Sequence, residues 1–97
     1  MVTVTFTPAA KKHFLEAVAY IKRDKPDAAR RFRHKVEGTL RRLSGFPESG
    51  RTIPEFPNLD FREVIVQPYR FFYRTTGTGV WIVAVWHSAQ IPADPMQ

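Results

Sequence analysis

The chain has 97 residues, 43% of them hydrophobic and 25% charged, which places it among globular proteins with room for one core and excludes disordered or fibrous classes. Fifteen Lys and Arg against nine Asp and Glu leave a formal charge of +6 and a pI near 10.2, a balance that favours anionic partners. Cysteine is absent, so disulfide scaffolds, thiol nucleophiles and cysteine-ligated zinc are excluded.

The N-terminal stretch alternates Val2, Val4 and Phe6 with Thr3, Thr5 and Thr7, the period of a half-buried strand. Thr7-Pro8 reads as an N-cap followed by proline at the first helical position. Phe14, Leu15, Val18 and Ile21 then share a helical face, with Lys11, Lys12, Glu16, Lys22 and Arg23 off it. Pro26 interrupts this helix and opens another, with Asp24 or Asp27 near its positive end. In the second helix Ala29, Phe32, Val36, Leu40 and Leu43 step by three or four, which leaves Arg30, Arg31, Arg33, Lys35, Arg41 and Arg42 largely outside. Two amphipathic helices with almost no linker predict a helical hairpin.

Gly45, Pro47, Gly50, Pro54 and Pro57 break both periodicities, so the stretch from Gly45 to Asp60 is predicted to be an ordered loop. Three strands follow: Phe61 to Gln67, Tyr69 to Thr76 and, after a Gly77-Thr78-Gly79 turn, Val80 to Ser88. The order β-α-α-β-β-β predicts an α+β fold, a helical hairpin on a mostly antiparallel four-stranded sheet, as a single domain over residues 1–97. No repeat or low-complexity tract is present. The longest apolar run, Val80 to Trp86, is far shorter than the ~20 residues of a membrane span, and the first residues have no basic segment leading into an apolar one. A cytoplasmic protein is expected, with no membrane partner.

Alternation gives each strand two faces. In the middle strand of the three, Tyr69, Phe71, Tyr73 and Thr75 form a core face, with Arg70, Phe72, Arg74 and Thr76 opposite. The last strand places Val80, Ile82, Ala84 and Trp86 against Trp81, Val83 and Val85 and is apolar on both sides. Strict alternation also puts Trp81 and Trp86 on different sides, so at least one of them is expected at a partner or an edge. One helical hairpin covers one face of a sheet; the other face is expected to need a partner.

Taken together, these residues resemble the ParE/RelE superfamily of bacterial toxins from type II toxin–antitoxin systems. The resemblance spans nearly the whole chain. It rests on Thr7-Pro8-Ala9-Ala10, Pro26-Asp27-Ala28-Ala29-Arg30, Pro47-Glu48-Ser49-Gly50-Arg51 and Pro54-Glu55. More specific are Arg62-Glu63-Val64-Ile65-Val66, Tyr69-Arg70-Phe71-Phe72-Tyr73 and Val83-Ala84-Val85-Trp86-His87. The superfamily carries two functions on one scaffold. RelE-like members resemble ribosome-dependent endoribonucleases that cut messenger RNA; ParE-like members are associated with inhibition of DNA gyrase. By resemblance, Arg70 matches the arginine of the RelE-type Tyr-Arg-x-x-Tyr pattern, and Arg62 lies near the first basic position of the preceding strand.

The next nuclease position, usually lysine, is Val64 or Ile65 here. No lysine follows Lys35, no tyrosine follows Tyr73, and Gln90 stands where the family often has arginine. RNA cleavage through the 2′-hydroxyl needs groups that take and give a proton; arginine is a poor one, and His87 has the right titration range. A nuclease would therefore rest on Arg62, Arg70 and His87, and the resemblance favours the ParE branch instead. It implies a toxin for plasmid or chromosome stabilisation, with DNA gyrase as its target. It also implies a hetero-oligomer with a cognate antitoxin whose acidic C-terminal segment folds onto the toxin. No cofactor, metal or small-molecule substrate is expected. Residues expected to contact target or antitoxin are Arg62, Arg70, Phe72, Arg74, Trp81, His87 and Gln90.

Blander roles accompany each of these. Arg62 and Arg70 can pair with Glu63, Glu55 or Asp60 and hold loop to strand, Tyr73 shares a face with core residues, and His87 suits a hydrogen-bonding role at a strand end. His13 and His34 have no ligand-type spacing. The basic helix residues read as a solvated face, with contact to DNA as the lesser reading. Residues 1–45 hold eleven basic and four acidic side chains, net +7; residues 46–97 hold four and five, net −1. The positive excess belongs to the helical hairpin, a surface suited to an acidic antitoxin.

Overall fold

A computed structural model describes residues 1–96. Strand β1 (Val4–Phe6) lies parallel to the last strand, β5 (Gly79–His87), with Val4 opposite Val80 and Phe6 opposite Ile82. Thr7 ends β1. Its N–H donates to the Ile82 carbonyl at 2.9 Å, and its hydroxyl accepts from the Ala10 N–H at 3.2 Å as the cap of helix α1 (Pro8–Asp24). Only Lys25 separates α1 from α2 (Pro26–Gly45), because Pro26 has no N–H to continue the first helical ladder. The Lys25 N–H closes α1 on the Ile21 carbonyl, and its own carbonyl accepts from Ala29 to open α2. The far end of α2 is tied to the N-terminus: Val2 donates to the Ser44 carbonyl at 2.9 Å, and the Ser44 hydroxyl donates back to the Val2 carbonyl at 2.5 Å.

The remaining strands are β2 (Arg51–Thr52), β3 (Arg62–Val66) and β4 (Tyr69–Thr76), and the sheet order is β1-β5-β4-β3-β2. The architecture is α+β, two helices on a mixed sheet, with all pairings antiparallel except β1 with β5. The sheet has five strands where the sequence predicts four. The additional strand, β2, falls within the stretch predicted to be loop, and two residues are too few for alternation to be read.

On one face, Ala10 and Ala17 of α1 and Phe32, Val36 and Leu43 of α2 pack on Tyr69, Phe71, Tyr73, Val80, Ile82 and Val85. The Phe14 ring sits among those of Phe6, Phe32 and Phe71, with centroids 5.5–6.1 Å away, a spacing typical of tilted aromatic contacts.

Two expectations about the opposite face are corrected. First, β5 carries a bulge: Phe72 pairs with Ala84 but the next residue, Tyr73, pairs with Ile82, so Val83 is an extra residue. Val80 and Ile82 before the bulge and Val85 after it all reach the helix-side core, while Val83, Ala84 and Trp86 pack on the other side. Trp81 pairs with Arg74 and Trp86 with Arg70, both on that other side, so the two tryptophans share a face. Second, over β4 this face is covered by the chain itself, while Trp81, Val83, Ala84 and Trp86 of β5 stay half-buried. Ile53 (0% exposed) and Phe61 from the segment between β2 and β3 bury Phe72, with Phe56 and Leu59 packed around them.

Candidate functional site

Under that covering segment lies a charged cluster. Glu63 is 1% exposed and Arg70 7%. The Arg70 Nε donates to Glu63 Oε1 at 2.7 Å, and its two terminal nitrogens donate to both carboxylate oxygens of Glu55 at 2.8 and 2.6 Å. Arg51 of β2 donates through Nε to Glu63 Oε2 at 2.5 Å. The sheet supplies Glu63 and Arg70 from adjacent strands, and the covering segment supplies Glu55, so the ion pairs fasten cover to sheet. Hydrogen bonding from Arg70 holds the Glu55 carboxyl at about 2, below its usual 4.5, and the same bonds push the Arg70 guanidinium further up. Arg70 also lies over the Phe72 ring at 5.2 Å. The pairing of Arg70 with Glu55 and Glu63 is the loop-to-strand role read from the sequence.

Arg62 lies on the helix side of the sheet, opposite Tyr73, and donates to the Gly50 carbonyl at 2.9 Å. It meets this backbone oxygen instead of the carboxylates considered for it. The Gly50 N–H donates to the buried Tyr73 hydroxyl at 2.9 Å, and a Cβ on Gly50 would stand 2.5 Å from that oxygen. Burial pushes the Tyr73 phenol up. His87 ends β5; its Nδ1 accepts from the Ala89 N–H at 3.0 Å, and its ring meets Tyr69 edge-on at 5.3 Å. Gln90 turns back, its side-chain oxygen accepting from the His87 N–H at 2.8 Å.

The fold does not gather Arg62, Arg70 and His87. Arg70 is on one face of the sheet and Arg62 on the other. His87 pairs with Tyr69 and Arg62 with Tyr73, four residues along β4, or roughly 14 Å at the rise of a strand. Arg74 and Trp81 do come together: they pair across β4 and β5, Arg74 lies 6.0 Å over the Phe61 ring, and Trp81 donates from Nε1 to Thr78 Oγ1 at 3.3 Å. Phe72 is fully buried beneath Ile53 and Phe61.

Sequence reasoning did not single out the cleft between α1 and β5. β1 covers β5 only from Val80 to Ile82, so Val83 to His87 have no strand partner on that edge among the described residues. The resulting cleft, about 470 Å³, is lined by His13, Glu16 and Tyr20 of α1 and by Tyr69, Trp86 and His87. The His13 and Trp86 rings lie 6.3 Å apart, and the Trp86 Nε1–H is buried without an acceptor among the described residues. The signal was available as the spacing 13, 16, 17 and 20, one stripe of a helix. Tyr20 (65% exposed) borders the cleft, and beside it the outer face of α1 exposes Leu15 (51%) with Pro8 and Ala19 next to it and Lys11, Lys12 and Glu16 around them.

A helical hairpin on a mixed sheet, with an open strand edge beside its first helix, defines a small α+β domain. Residues 4–92 match the family model described as the ParE toxin of type II toxin-antitoxin system, parDE, and the chain belongs to that family. Among solved structures it is similar to a chain of the chromosomal ParDE TA system from P. aeruginosa. That match has a TM-score of 0.73 and 14% identity, and covers 90% of this chain and 96% of that one. At that identity the match speaks for the fold. A search of curated proteins found no match. No described helix is long and apolar enough to cross a membrane.

Proposed function

We propose that this ParE-family chain acts in the cytoplasm as the toxin of a type II module, inhibits DNA gyrase by binding it, and is neutralised by a cognate antitoxin. The observation that carries action by binding is the commitment of Arg70. All three of its donor nitrogens serve Glu55 and Glu63, which leaves no free edge of the guanidinium for a substrate phosphate. The wide separation of Arg62 from His87 supports the same reading.

The antitoxin segment docks in the α1–β5 cleft. An extended stretch adds beside Val83 to His87, where the strand edge is free. An amphipathic stretch lies on Leu15, Ala19 and Tyr20, its acidic side chains facing Lys11, Lys12, Lys22 and Arg23. Arg74, Trp81 and Gln90, exposed or half-exposed at the surface, remain candidates for target contact.

The test is induction in growing cells, read together with supercoiling by purified gyrase and primer extension on messenger RNA. Growth arrest, blocked supercoiling and intact messenger are expected. Codon-dependent cuts in messenger that vanish in His87→Ala would reverse the reading in favour of a nuclease. Arrest relieved by co-expression of the neighbouring reading frame supports the antitoxin, and Leu15→Glu should abolish that relief while leaving arrest intact.

A further inference from the structure

The two helices of the hairpin differ in a way their summed charge conceals. The exposed face of α1 has an apolar strip between its lysines. The exposed face of α2 has none. With about 3.6 residues per turn, Arg30, Arg31, His34, Lys35, Arg41 and Arg42 fall on one continuous arc opposite the buried Phe32, Val36 and Leu43. All six are exposed. Asp27 lies in the arc and pairs with Arg30, and exposed Glu37 borders it beside Arg30 and Arg41; Arg31, Lys35, Arg41 and Arg42 have no ion-pair partner among the described residues. Gly38 lies in the middle of the arc, where even a Cβ would meet nothing within 4 Å, so the stripe has no central obstruction. From Arg30 to Arg42 it runs about 18 Å at the rise of an α-helix.

We infer that this α2 stripe is a binding surface for the phosphate backbone of duplex DNA. Four features select that occupant. A cationic row with no apolar residue gives a folded acidic peptide nothing to bury against the entropy of ordering it, whereas backbone binding needs only charge and counterion release. Arginines outnumber lysine, and their forked donors match phosphate oxygens. The arc has no Phe, Tyr or Trp, and its one small ring, His34, is not the series of aromatics on which successive single-stranded bases would stack. It also has no Ser, Thr, Asn or Gln to meet the 2′-hydroxyls of an RNA duplex. The surface reads no sequence, since a helix face of this kind reaches phosphates and not base edges. The inference is independent of the gyrase reading.

Fluorescence anisotropy of the full chain with a 20-base-pair duplex of mixed sequence tests it. Neutralising four or five phosphates implies a roughly 10²- to 10³-fold loss of affinity between 50 and 200 mM NaCl. The triple variant Arg31→Ala/Lys35→Ala/Arg42→Ala should flatten the logarithmic salt slope by about three and weaken binding at 50 mM at least tenfold. Lys11→Ala/Lys12→Ala/Lys22→Ala, with the same loss of charge, should change affinity less than threefold. Equal losses in the two triple variants would reduce the effect to net charge and overturn the inference. So would absence of binding at 50 mM, tighter binding of a 20-base-pair RNA duplex, or displacement of the DNA by poly-glutamate at equal charge. Far-ultraviolet circular dichroism checks folding; if the triple variant is unfolded, Arg31→Ala and Arg42→Ala alone should each flatten the slope by about one.

Discussion

Arg70 shows how one side chain can be recognised in sequence and reassigned by its neighbours. Its position in the Tyr69–Tyr73 segment suits a phosphate ligand, but packing of Glu55 over Glu63 turns it into a fastener. Arg70→Ala would leave the buried Glu63 with Arg51 alone, at a cost of about 3–5 kcal/mol in denaturant unfolding. Glu55→Gln should cost less, about 1 kcal/mol at pH 7, because the Glu55 side chain stays 39% exposed and its pairing is screened. That difference has a pH signature. The Glu55 carboxyl is held at about 2 in the folded chain against an ordinary 4.5, so its contribution is complete above pH 4.5 and disappears as pH falls through 2. Wild-type and Glu55→Gln unfolding curves should therefore converge across that window; a gap constant from pH 7 to 2 would rule the ion pair out. Gly50→Ala has a steric origin instead. Its new Cβ would press on the Tyr73 hydroxyl and the Glu63 carbonyl, 2.5 and 2.7 Å away, and a loss of several kcal/mol in thermal unfolding is expected.

Among the elements, β5 determines most. Its bulge lets Val80, Ile82 and Val85 serve one core while Trp81 and Trp86 serve the opposite face. Deleting Val83 would remove the extra residue and leave a regular strand in which Val80, Ile82 and Val85 still share one face and Trp81, Ala84 and Trp86 the other. The deletion variant is therefore expected to keep a cooperative melting transition and its tryptophan fluorescence; loss of cooperativity would show that the faces of β5 depend on more than this one extra residue. The entry to α1 is a local effect of its own. Thr7→Ala removes the side-chain cap on the Ala10 N–H and should cost about 1 kcal/mol, measurable by urea titration.

At the scale of the whole molecule, charge is segregated. The hairpin half carries net +7 and the sheet half −1, and most cations of α2 face solvent without a carboxylate. Self-repulsion of this kind is screened by salt. The Tm of the isolated chain should rise by a few degrees between 20 and 200 mM NaCl, a shift that scanning calorimetry would detect; a fall would mean that attractive surface pairs dominate. The same segregation separates two exposed surfaces, the apolar-centred face of α1 and the predominantly cationic face of α2.

By itself, the sequence determined what local periodicity and stereochemistry can determine. Thr7-Pro8 and Pro26 set the helix starts, the three-and-four spacing of Phe32, Val36, Leu40 and Leu43 marked a buried stripe, and Tyr69 to Thr76 alternated correctly throughout. These signals lie within a few residues of one another, where backbone geometry alone relates them. The tertiary structure decided what depends on residues distant in the chain. Whether Val83 bulges depends on its pairing with β4, and whether Phe72 faces solvent depends on Ile53 and Phe61 folding back over it. Whether Arg70 is a ligand or a fastener depends on carboxylates seven and fifteen positions away. The opening arithmetic obeys the same division: composition yields a charge of +6, and only the packed helices show which cations surround apolar surface and which stand in an unbroken row.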